Sequence, residues 1–155
     1  MTPEQRSRLA SWTYIWYTAA NLAAESVSGS GVGMSNAPLL LFVDSMRNVI
    51  RGAERLLGRD HPALRDFRAA VPDAVNVRDV VGHFDAYALG KGALQKKGLI
   101  RGDIAHFVSG RIDNEVRRIH VADFVVELPG ALEALADLAQ AALDSASITE
   151  VSETP

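Results

Sequence analysis

Residues 35–57 carry apolar side chains at a spacing of three and four, which constrains the fold of this chain more than any other feature. The members of the stripe are Leu39, Phe42, Val43, Met46, Val49, Ile50 and Ala53. Apolar residues at this spacing lie along one face of an α-helix. The stripe therefore predicts a long amphipathic helix that ends at Gly58.

Three further helical regions are predicted around it. The first begins at Thr2-Pro3-Glu4, where a capping residue precedes a proline and an acid, and it ends in a flexible glycine loop at 28–33. The next follows the helix at 35–57 and is therefore the third helical region in chain order. It begins near His61, breaks at Val71-Pro72, restarts with Asp73 or Asn76 as cap and continues to Leu89. The last extends from Pro129 to about Leu143.

Between residues 100 and 128 the spacing of apolar residues is no longer that of a helix. Extended segments are predicted at 104–108, 117–121 and 124–128, with turns at Ser109-Gly110, 113–114 and Ala122-Asp123. Long helices with short links indicate an antiparallel four-helix bundle. The predicted fold is mainly α: such a bundle in one domain at 1–145, a small β-meander or hairpin inserted before the last helix, and a polar tail at 146–155.

Composition narrows the class of protein. The chain has 155 residues, no cysteine and a net charge of −3, which suits one soluble domain without disulfides or thiolate chemistry. We expect a cytoplasmic protein, because no signal peptide is evident and the apolar run at 38–43 is too short to cross a bilayer. His61, His106 and His120 lack the spacing of zinc ligands. We expect no metal, no cofactor and no membrane association.

The segment RDVVGHFDAY at 78–87 concentrates polar chemistry on a predicted helix. Asp79 and His83 are four residues apart, as are His83 and Tyr87, so each pair shares a helix face. Gly82 lets another backbone approach, which would place His83 beside a second subunit. The alternative is an ordinary amphipathic helix with Val80, Val81, Phe84 and Ala88 in the core.

Arginine and histidine together can cleave RNA without a metal, since RNA supplies its own 2′-hydroxyl nucleophile. His83 would transfer protons near neutral pH, and Arg78 would bind the phosphate through its guanidinium group. Asp79 could orient the imidazole, and Tyr87 could hydrogen-bond to the substrate.

The hexapeptide Arg78-Asp79-Val80-Val81-Gly82-His83 resembles the Arg-polar-x-x-x-His motif of the HEPN superfamily (higher eukaryotes and prokaryotes nucleotide-binding). The resemblance implies a helical bundle with Arg78 and His83 as the catalytic pair and Asp79 in support. It also implies a homodimeric, metal-independent ribonuclease in a toxin–antitoxin or phage-defence system, with an antitoxin protein as possible partner. One HEPN subgroup carries a tyrosine two residues after the histidine, where this chain has Asp85.

Basic residues elsewhere are candidate RNA contacts. Arg47, Arg51 and Arg55 recur every four residues on the second helix, and Lys91, Lys96 and Lys97 follow the motif. Either group could instead be a solvated surface.

Trp12 and Trp16 could stack on bases, but core or dimer packing is the favoured interpretation, because tryptophans four residues apart form one buried ridge. The rival function is a non-catalytic HEPN-like module that binds a protein or a nucleotide.

Overall fold

Helices dominate the chain. The computed structural model describes residues 1–27, 37–100, 108–113 and 116–151. Its helices in these ranges are α1 (Pro3–Val27), α2 (Ala37–Leu57), α3 (Pro62–Ala70), α4 (Ala74–Gly82), α5 (Phe84–Ala88), α6 (Ala93–Lys96) and α7 (Leu128–Val151). Its strands there are β1 (Val108–Asp113), β2 (Val116–Val121) and β3 (Phe124–Glu127). The predicted mainly helical class with a small antiparallel β element is confirmed.

The three long helices α1, α2 and α7 pack on one another. The Arg6 guanidinium near the start of α1 donates to the carbonyl of Leu56 near the end of α2, at 3.2 Å. Ala10, Leu56, Ala142 and Ala146 form a small buried cluster at the same end. Helix α1 is therefore antiparallel to both α2 and α7.

The apolar stripe of α2 lies at the centre of the main core, as predicted, with every member at most 4% exposed. Opposing side chains come from the other helices and from β2 and β3, including Leu64, Val77, Ile119 and Leu135. Burial of apolar surface on this scale is the main favourable contribution to folding. The core thus joins helices and sheet into one unit.

The β element is a three-stranded antiparallel sheet in the order β1-β2-β3. It packs against α4 and α7, and β1 also contacts α2. The turn predicted at Ser109-Gly110 is wrong, because both residues lie inside β1 and pair with His120 and Ile119 of β2. The turn at Ala122-Asp123 is confirmed and joins β2 to β3.

Several predicted boundaries differ from the structure. Helix α7 continues to Val151, well beyond the expected end near Leu143, because Ala146 is still buried against α1 and α2. The predicted third helical region breaks at Val71-Pro72 as expected and a second time at His83. The predicted glycine loop at 28–33, residues 104–107 and residues 152–155 lie outside the described part of the chain.

Among the described residues, none of the helices has the length and apolar character that crossing a membrane requires.

The α1–α2 contact generates a prediction. A Cβ added to Gly52 would overlap Thr13 Oγ1, and Thr13 is itself buried. We expect Gly52→Ala to lower the free energy of unfolding by about 1–3 kcal/mol, because overpacking forces the helices apart. Urea unfolding monitored by circular dichroism measures the change.

The matched control is Gly130→Ala, since a Cβ at that helical glycine meets nothing within 4 Å. It should leave stability unchanged or raise it by about 0.5–1 kcal/mol through helix propensity. Equal losses in the two variants would show that close packing at Gly52 is not the cause.

Candidate functional site

The motif segment is held in place by a hydrogen bond at the start of α4 and by core packing along the helix. Asp73 precedes the helix, and its carboxylate accepts a hydrogen bond from the Val125 amide of β3 at 3.0 Å. Val77 and Val80 are buried in the core, so α4 has a fixed rotation about its axis. That rotation leaves Arg78 and Asp79 half-buried at the edge of the helix.

The helix ends at Gly82, and His83 is its C-terminal capping residue, with φ −126° and ψ 36°. Glycine has a low helix propensity, which favours termination at this point. In an unbroken helix Phe84 would lie on the face of buried Val80, four residues earlier. The break turns it outward instead: Phe84 is 63% exposed, and Ala88 is exposed as well. The alternative that placed both side chains in the core is therefore wrong.

Asp79 links the exposed histidine to a buried tyrosine. One carboxylate oxygen accepts a hydrogen bond from the Tyr87 hydroxyl at 2.6 Å. The other lies 4.0 Å from Nε2 of His83, whose side chain is 70% exposed. The predicted pairing of Asp79 with His83 is thus present as a close approach. Asp79, whose own position is fixed by the hydrogen bond from Tyr87, therefore presents a carboxylate oxygen toward the exposed imidazole.

Tyr87 is fully buried, which corrects the expectation that its hydroxyl reaches a substrate. The hydroxyl accepts a hydrogen bond from the Leu94 amide at 3.1 Å while donating to Asp79. Burial, and next the hydrogen bond to Asp79, raise the pKa of Tyr87 above its usual value. A Cβ at Gly92 would overlap the Tyr87 ring, so this glycine permits the close contact. Tyr87 therefore keeps its proton and acts as a structural hydrogen-bond donor to Asp79.

A groove between α2 and α4 brings together two arginines that are distant in sequence. Arg47 and Arg78 both line it, with the exposed ring of Phe84 beside them. Its volume is about 470 Å³. Among the residues that the structure describes, the lining consists of Leu40, Val43, Asp44, Arg47, Arg78, Val81, Gly82 and Phe84. An apolar cleft with a pair of cations suits a ligand that has a flat ring and a negative charge.

The other predicted RNA contacts lie elsewhere. Arg51 and Arg55 line a separate hollow between α1 and α2, beside Trp12 and Trp16. Trp12 is 55% exposed and Trp16 is half-buried against the core, so the two do not form a ridge in the core of the chain. The three lysines that follow the motif are exposed and line neither cavity; they are Lys91, Lys96 and Lys97.

Sequence reasoning missed Phe84, Asp44 and Gly92 as parts of this region. For Phe84 the available signal was Gly82, because a helix that ends at this glycine changes the direction of the side chains that follow it. The other two have no local signal, since Asp44 enters the groove through the packing of α2 on α4 and Gly92 matters only beside a buried ring.

Comparison of the chain with protein-family models, curated proteins and solved structures found no match. The resemblance to HEPN proteins therefore stays a prediction that depends on the motif and the helical layout.

Removal of the Tyr87 hydroxyl tests the anchoring of Asp79. Tyr87→Phe leaves the buried Leu94 amide without its acceptor and Asp79 without its donor. We expect a loss of about 1–3 kcal/mol in the free energy of unfolding. Tyr14→Phe is the matched control, because Tyr14 is 42% exposed, and it should change stability by less than about 0.5 kcal/mol. An equally small change for Tyr87→Phe would contradict the described network.

The raised pKa of Tyr87 also predicts a pH dependence. The folded state holds the Tyr87 proton more tightly than the unfolded chain, whose tyrosine pKa is about 10. The resulting stabilisation is fully present below about pH 10 and is lost as the pH rises through the folded pKa. The stability difference between the parent and Tyr87→Phe should therefore shrink above about pH 10 in unfolding titrations. A difference that grows with pH there would contradict the sign of the shift.

Proposed function

We propose that this chain is a metal-independent endoribonuclease of HEPN type. The observation that carries the proposal is the link from buried Tyr87 through Asp79 to His83, an exposed imidazole beside a fixed carboxylate. An imidazole that is open to solvent and has a carboxylate beside it is an arrangement suited to a general acid or base. Arg78 in the adjacent groove provides a cation for the phosphate.

In the proposed reaction His83 accepts the proton of the 2′-hydroxyl while O2′ forms a bond to phosphorus. The bond from phosphorus to the 5′-oxygen breaks, and the leaving oxygen receives a proton from a second, protonated imidazole, that of His83 in the other protomer of a composite site. Arg78 stabilises the charge on the non-bridging oxygens. The products are a 2′,3′-cyclic phosphate and a 5′-hydroxyl, so no external water or metal enters this step.

We further propose that two copies of the chain form a composite site, with Arg78 and His83 from both protomers. The supporting observation is the open surface at Gly82, which is exposed and has nothing within 4 Å of an added Cβ. In this proposal α1, α2, α7 and the broken α3–α5 unit form the four-helix bundle of the superfamily. The role is that of a cytoplasmic toxin or defence ribonuclease, controlled by an antitoxin protein.

A second candidate is a non-catalytic helical interaction module. The observation that favours it is the exposed apolar face of α1, where Trp12, Ile15 and Leu22 are all more than half exposed. Their spacing of three and seven places them on one side of the helix. Contiguous apolar surface of this kind is typical of protein contacts. This candidate predicts no RNA cleavage.

Cleavage of labelled RNA in the presence of EDTA tests the nuclease directly. We expect the parent to leave 2′,3′-cyclic phosphate or 3′-phosphate ends. His83→Ala should lower the rate constant by about 100-fold or more, the usual contribution of a general acid or base. Arg78→Ala should cause a comparable loss. His83 is exposed and Arg78 is half-buried at the edge of α4, so circular dichroism should match that of the parent and show that both variants fold.

Arg65→Ala is the matched control for Arg78→Ala, since Arg65 is exposed on α3 and does not line the groove. It should cleave RNA at the parental rate. Parental cleavage by His83→Ala would show that another group, or a contaminant, is responsible. Absence of cleavage in every preparation would favour the interaction module.

A further inference from the structure

The groove between α2 and α4 lies directly beside the proposed cleavage point. Two of its lining residues, Gly82 and Phe84, flank His83 in the sequence. We propose that the groove is a subsite for one unpaired nucleotide, with its base stacked on Phe84 and its phosphate held by Arg47 and Arg78. This inference rests on the ribonuclease function proposed above and identifies the part of the substrate that the site recognises.

The apolar half of the groove has the properties of a stacking platform. Phe84 is 63% exposed and Leu40 is 41% exposed, so both lose contact with water when a flat ring covers them. The volume of about 470 Å³ is in the range of small-molecule sites. Every nucleobase has a π-face, and stacking on aromatic side chains is the usual way in which proteins hold unpaired bases.

The charged half of the groove suits a phosphate. Arg78 has no ion pair with any residue in the described ranges. Arg47 has one ion-pair partner there, Asp44 at 3.5 Å, and both of these side chains are at least 40% exposed. Exposed pairs of this length are weak and rearrange readily. Arg47 can therefore turn to an incoming phosphate, whereas the Asp44 carboxylate repels it.

The substrate must be single-stranded at this point. A base paired within a duplex is stacked on its neighbours and cannot lie flat on Phe84 without leaving the helix. An unpaired nucleotide presents both its ring and its phosphate. The groove therefore selects loops or single strands over duplex RNA, by stacking and charge.

Binding of a non-cleavable oligonucleotide by the full chain tests the subsite separately from catalysis. The probe is a short fluorescent single strand with 2′-O-methyl groups, which cannot provide the attacking hydroxyl, and anisotropy gives the Kd at fixed salt. We expect Phe84→Ala to raise the Kd by about tenfold and Phe84→Trp to retain binding. Arg47→Ala should weaken binding and reduce its salt dependence. Asp44→Asn should tighten it.

Two controls match these changes. Leu89→Ala removes an equally exposed apolar side chain outside the groove, and Arg65→Ala removes an exposed cation outside it. Both should bind as the parent does, and a duplex of the same sequence should bind at least about tenfold more weakly than the single strand.

Unchanged binding in Phe84→Ala and Arg47→Ala would overturn the subsite, even if His83-dependent cleavage is found. Conversely, loss of binding in both variants without cleavage by any preparation would support the subsite and reject the nuclease. Sedimentation of the same variants addresses a rival occupant of the groove. If Phe84→Ala dissociates an oligomer and leaves RNA affinity unchanged, Phe84 belongs to a protein interface and the subsite is overturned.

Discussion

The hydrogen bond from the Tyr87 hydroxyl to Asp79 is the interaction on which the geometry of the candidate site depends. It joins a fully buried ring to a half-buried carboxylate, and the same hydroxyl satisfies the Leu94 amide at the start of α6. Gly92 leaves room for the ring to lie there. Since the second Asp79 oxygen lies 4.0 Å from His83 Nε2, contacts in the core fix the carboxylate that stands beside this exposed histidine.

The end of α4 at Gly82 also determines the geometry of the candidate site. An unbroken helix would bury Phe84 beside Val80 and would leave no aromatic wall on the groove. The end of α4 at Gly82 instead sends Phe84 to the surface while Tyr87 enters the core. This one break thus places Tyr87 in the core, where it donates to Asp79, and Phe84 at the surface, where it lines the groove. The proposed catalytic histidine lies at the break itself, immediately before Phe84.

The groove itself is a product of helix packing. Arg47 belongs to the long helix α2, whose opposite face forms the centre of the core, and Arg78 belongs to α4. The core contacts that fix the rotation of both helices also decide that these two guanidinium groups share one cleft. By contrast, Arg51 and Arg55 lie beside α1. Four residues exceed one helical turn, so each successive arginine of the row is rotated further around α2. The predicted arginine row is therefore divided between two surfaces.

Local periodicity in the sequence was sufficient for the mainly helical class, the buried stripe of α2, strands β2 and β3, and the neighbouring positions of Asp79 and His83. These features depend on residues within one or two turns of each other, so spacing alone determines them. The break at His83 had a local signal in Gly82, whereas the burial of Tyr87, the extension of α7 and the meeting of Arg47 with Arg78 were decided only by the tertiary structure. Each depends on which distant surface packs against a segment, and local spacing carries no information about that partner.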